Sequence, residues 1–86
     1  MTTKLLLFTT RSCAECEPVK QRAQAAALEI GIDFSVRDAQ DEALCAHLYR
    51  VSSVPALVLL VHGKAPRVTT KAKTKAQIIG WIKDAT

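Results

Sequence analysis

Long apolar runs are missing from this chain. The stretch ALVLLV at positions 56–61 is far short of the roughly 20 residues that cross a bilayer, and the opening MTTKLLLFTT is interrupted by a lysine and followed at once by a charged motif. Neither a membrane span nor a signal peptide is expected, and the opening reads as a first strand. Cysteine is sparse and odd in number: three residues are too few for the disulfide scaffold of a small secreted domain, which points to the reducing cytoplasm. Aromatic residues make up only 5%, and none falls in the basic stretch KAPRVTTKAKTK, where Lys64, Arg67, Lys71, Lys73 and Lys75 occur without an acid. A basic groove that binds single strands interleaves stacking aromatics, so nucleic acid is a poor match and an acidic protein partner or a solvated face a better one.

What remains is the composition of a soluble globular protein, 49% hydrophobic and 23% charged with a net charge of +4. One domain over residues 1–86 accommodates it, small but able to fold without covalent staples. Within it, RSCAEC places Cys13 and Cys16 three positions apart. Two thiolates at that spacing can grip a zinc ion or close into a small disulfide, and spacing alone leaves both open.

Hydrophobic periodicity gives the order of elements. KLLLFTT is a buried strand ending at the motif. From about Glu17 to Ile30, Val19, Ala23, Ala26, Ala27 and Ile30 recur at helical spacing before Gly31, and Pro18 suits only a first turn. IDFSVRD alternates Ile32, Phe34 and Val36 as a strand parallel to the first. DEALCAHLYRV then predicts a helix with Leu44, Leu48 and Val51 on its buried stripe and with Cys45 as a small buried residue beside it. ALVLLV is a central strand, and HGK turns into an edge strand that tolerates Pro66. TKAQ has the form of a capping box, opening a last helix with Ile78, Ile79, Trp81 and Ile82. The α/β order β-α-β-α-β-β-α implies a four-stranded mixed sheet with its first pair parallel, its last antiparallel, and three helices covering both faces.

A CxxC between the first strand and first helix, joined to SSVP before a buried strand, resembles the thioredoxin and glutaredoxin superfamily over nearly the whole chain. CAECEP is similar to the motif of the small glutaredoxin-like redoxins, and PALVLLVHGK through AQIIGWIKDA to thioredoxin. The resemblance implies a cis bond between Val54 and Pro55, with Val54 offering its backbone to an extended substrate; an ordinary proline opening a strand is the plain alternative. It implies that Cys13, served by the free amides of a helix start, is the nucleophile and that Cys16, one turn into the helix, resolves the mixed disulfide. Arg11 would favour the Cys13 thiolate, whereas Glu15 and Glu17 would oppose it, tuning the pair toward a reducing couple.

The expected activity is reduction of disulfide-containing proteins by a monomer that binds no cofactor beyond its own Cys13–Cys16 disulfide. RVTTKAK lacks the Gly-Gly kink and acidic or hydroxyl pair with which glutaredoxins hold glutathione, so a thioredoxin-reductase-type flavoprotein ranks above glutathione as electron donor. Two alternatives belong beside this reading: a glutathione-dependent glutaredoxin, and an interaction module whose cysteines are incidental. In the second, Cys45 and His47 could complete a zinc site with Cys13 and Cys16. His47 alone reads as a surface helix residue, His62 as part of the hairpin turn, and Tyr49 and Trp81 as helix packing.

Overall fold

The computed structural model describes residues 3–86. Met1 and Thr2, which open the first predicted strand, lie outside the described residues. The chain folds as β1 (Thr3–Thr9), α1 (Cys16–Ile30), β2 (Asp33–Asp38), α2 (Ala43–Leu48), β3 (Ala56–Val61), β4 (Arg67–Thr69) and α3 (Lys75–Ala85). The strands lie in the order β2-β1-β3-β4. β1 runs parallel to β2 and antiparallel to β3, which is antiparallel to β4. The expected mixed sheet and three helices are therefore present.

The two central strands, β1 and β3, divide their side chains between two cores, as period-2 alternation requires. Leu5 and Leu7 of β1 and Leu57 and Leu59 of β3 point to one face, where Val19, Ala23, Ala26 and Ala27 of α1 and Ile78 and Ile82 of α3 cover them. Trp81 packs against this cluster from its edge. Leu6 and Phe8 with Ala56 and Val58 point to the other face, beneath α2. Tyr49 reaches this second cluster, its ring centroid 6.3 Å from that of Phe8.

Local sequence explains the helix ends. α1 closes on Gly31, whose φ of 85° is left-handed and whose N–H donates to the Ala27 carbonyl at 2.8 Å. At Thr74 the predicted capping box is complete: the Gln77 N–H donates to its hydroxyl at 3.1 Å, and the Gln77 amide oxygen accepts its N–H at 3.2 Å. Pro66 immediately precedes β4, an edge strand of three residues.

Four expectations need correction. α1 begins at Cys16 itself, so the second cysteine opens the helix instead of lying one turn inside it. α2 has only six residues, and its inward residue is Ala46, while Leu44 and Leu48 are 72% and 68% exposed. The small alanine lets the short helix lie close to the sheet, and Tyr49 and Val51 beyond it supply the larger apolar contacts. Cys45 accordingly faces outward and is exposed. The alternation of β2 also ends early: Val36 is 40% exposed because β2 is an edge strand with a neighbour on one side only.

Candidate redox site

The end of β1 and the start of β3 place the site. Phe8 lies opposite Ala56 in the antiparallel ladder, so the motif that leaves β1 and the Val54–Pro55 step that enters β3 emerge at the same end of the sheet. The Val54–Pro55 peptide bond is cis, and Pro55 is buried.

Between Thr9 and α1 the chain makes two tight returns. The Cys13 N–H donates to the Thr10 carbonyl and the Cys16 N–H to the Cys13 carbonyl, each at 3.3 Å. This holds the two Cα atoms 5.4 Å apart, and the sulfurs are joined in a disulfide. Their environments differ. Cys16, in the first position of α1, is 5% exposed, whereas Cys13 is half-buried and reaches solvent. An incoming sulfur can meet Cys13 directly and Cys16 only after the site has opened.

Cys13 lines an open groove of about 400 Å³ with Thr10, Ser12, Ala14, Glu15 and Val54. The structure thus brings Val54 to the redox pair. Glu15 occupies the N-cap position of α1 but makes no side-chain cap bond; its carboxylate meets the ammonium of Lys73 at 3.4 Å. Glu17 is exposed in the first turn, where a negative charge suits the helix dipole. Arg11 is exposed in the turn before the motif. Neither Arg11 nor Glu17 lines the groove with Cys13.

Lys73 is the residue that sequence reading missed. It lies 58 positions from Glu15, and no periodicity or local motif connects them. The only signal was its place in the basic stretch, and the fold splits that stretch. Val61 lies opposite Thr3, so the turn bearing His62 and Lys64 is at the far end of the sheet; β4 then runs back, with Thr69 opposite Leu57, toward the cysteines. Lys64 and Lys73 therefore belong to different surfaces.

Cys45 and His47 are exposed on α2 and are not gathered with the redox pair. Among the described residues no group of three or more His, Cys, Asp or Glu side chains is arranged to hold a metal ion. No helix among them is long and apolar enough to cross a membrane.

Fold, motif position and cysteine pairing define a thioredoxin-like protein. The chain belongs to the thioredoxin domain family, whose pattern it matches over residues 1–83. In structure it is similar to thioredoxin from Fasciola hepatica, with 20% identity over 99% of this chain and 82% of that one and a TM-score of 0.82. Thioredoxin 1 from Thermosipho africanus gives 18% identity over 95% and 92% of the two chains and a TM-score of 0.79. It is also similar to the J-Trx1 fragment of ERdj5, at 15% identity and a TM-score of 0.80, where it covers 98% of its own length but only 41% of that chain. At these identities the likeness is one of fold. No curated protein matches the chain in sequence.

Proposed function

We propose that this protein is a thiol-disulfide oxidoreductase that reduces protein disulfides. The supporting observation is the unequal exposure of a bonded pair: Cys13 opens on a groove shared with Val54, while Cys16 lies behind it at 5% exposure. In the reduced protein the Cys13 thiolate attacks one sulfur of a substrate disulfide, forming a mixed disulfide and expelling the other sulfur as a thiolate that takes up a proton. Cys16, losing its proton, attacks the Cys13 sulfur and releases the second substrate thiol. Two electrons and two protons pass to the substrate, and the Cys13–Cys16 disulfide is restored.

The amides at the start of α1 favour the thiolate at Cys13, because the first turn of a helix carries a partial positive charge. Pro18, in that first turn, contributes no N–H. Arg11 adds a positive charge and Glu17 a negative one, and Lys73 offsets Glu15. Val54 lends its backbone to an extended substrate segment beside Cys13. A flavoprotein reductase of the thioredoxin-reductase type, in a reducing compartment, would return the electrons.

The test is insulin reduction with dithiothreitol as electron source, comparing the protein with Cys13→Ser. Catalysed precipitation of the insulin chains should fall to the uncatalysed rate in the variant, because no other thiol lies in the groove. Equal rates for both proteins would remove Cys13 from the mechanism.

A further inference from the structure

Beside the redox pair, along the first two turns of α1, lies a second groove that the disulfide exchange itself does not use. Glu15, Pro18, Val19 and Arg22 recur at helical spacing on one side of α1, and Lys73 faces them from the segment between β4 and α3, enclosing an open volume of about 330 Å³. Glu15 lines both this groove and the one that holds Cys13, so the two adjoin at that residue. We infer that this groove recognises carboxylate side chains flanking the disulfide of the substrate, with Arg22 and Lys73 as its specificity-determining residues. The inference rests on the reductase reading and names the substrate class within it.

The geometry favours an acidic segment over a basic or neutral one. Arg22 donates one guanidinium hydrogen bond to the Lys73 carbonyl at 3.3 Å, which fixes the guanidinium against the loop and leaves its other donors unengaged among the described residues. The Lys73 ammonium contacts Glu15 at 3.4 Å in a pair whose side chains are 51% and 71% exposed. An exposed pair of this kind is weak and gives way readily to a competing carboxylate. Two cations face one carboxylate, and that carboxylate belongs to the chain itself. An arriving Glu or Asp therefore gains two charge-assisted contacts, whereas an arriving Lys meets two like charges. Pro18 and Val19 give the groove an apolar floor for the stem of such a side chain.

The position of Lys64 supplies an internal control. Located in the turn after β3, at the opposite end of the sheet, it contributes the same charge to the molecule but none to this groove. Net attraction of acidic peptides by a basic protein would weaken equally in Lys64→Gln and Lys73→Gln; recognition in the groove would weaken only in the second.

The experiment is single-turnover reduction of three cystine-bridged peptides that share one core and differ in flanking residues, Glu, Gln or Lys, by the pre-reduced protein at low ionic strength. The Glu-flanked peptide should react about tenfold faster than the Lys-flanked one. That ratio should fall toward one in Arg22→Gln/Lys73→Gln and in roughly 0.5 M salt, and persist in Lys64→Gln. Equal rates for all three peptides would overturn the inference and leave the reductase reading standing. A ratio lost as fully in Lys64→Gln as in the double variant would overturn it in favour of overall charge. Failure to reduce even the Gln-flanked peptide would overturn the reductase reading and this inference together.

Discussion

The face of the sheet beneath α1 and α3 and the face beneath α2 are built from different materials. On the first, four strand leucines meet two helices that together bury Val19, three alanines of α1, Ile78 and Ile82, and α3 is secured by a full capping box. On the second, α2 contributes Ala46 as its one buried residue, and its N-cap Glu42 makes no side-chain cap bond. Six residues are too few for a helix to persist by itself. α2 is held from outside: Asp38 accepts the N–H groups of Gln40 at 2.8 Å and Asp41 at 3.2 Å, and Arg37 of β2 pairs with Glu42 at 3.0 Å. By the helix side chains it buries, the first layer is the stronger, whereas on the second the buried side chains, Phe8 among them, come mostly from the sheet. The redox motif opens α1, so it is anchored in the stronger layer.

The sharpest test of that difference is Ile78→Ala. The side chain is fully buried between α3 and the sheet, and its truncation should lower the unfolding free energy by about 2–5 kcal/mol in urea titrations followed by Trp81 fluorescence. Leu48→Ser on α2 removes a side chain that is 68% exposed and should change stability by no more than about 0.5 kcal/mol. Comparable losses from the two variants would erase the distinction between the layers.

Smallest of all is the effect of the ion pair that ties α3 to α1. Lys75 approaches Glu29 at 2.9 Å and holds its carboxyl below the ordinary value, first by the hydrogen bond and then by its charge. A lowered carboxyl pKa stabilises the fold above the unfolded-state value and ceases to do so as pH falls through the folded-state one. Thermal melts of the protein and of Glu29→Gln should differ slightly at neutral pH and converge as pH drops below about 4. A gap that stays constant into acid would mean that the substitution acts through packing instead of charge.

The stronger layer was also the legible one. Val19, Ala23, Ala26 and Ala27 repeat over a 15-residue helix, long enough for periodicity to average out local exceptions, and Thr74 and Gln77 announce α3 by a bond between near neighbours. α2 offered six residues, of which the most apolar were the outward ones. Periodicity takes large apolar side chains as the signal for burial; here contact with the sheet selected the smallest residue, and Leu44 and Leu48 misled. Cys45 was misplaced for the same reason, being adjacent to Ala46 on a helix rotated from its expected orientation.

At the site the division is similar. The Cys13–Cys16 spacing, the proline of the first turn and Val54–Pro55 were readable because each is a local motif. The partner of Glu15 was not, since Lys73 reaches it only through a sheet register that sends Lys64 to one end of the molecule and Lys73 back toward the other.

The rung that joins Phe8 to Ala56 has a consequence for how such a chain can change over generations. The spatial relation between the sulfur pair and the Val54–Pro55 step is fixed by main-chain bonds between β1 and β3, which any pair of strand-forming residues can supply. The outward faces of the helices can be recharged without moving one segment against the other, provided the first turn of α1, which carries Cys16, is kept. A chain that shares 20% of its residues with the Fasciola thioredoxin can thus superpose on it at a TM-score of 0.82. The placement of the two segments is a property of the backbone pairing, within reach of very different side-chain sequences.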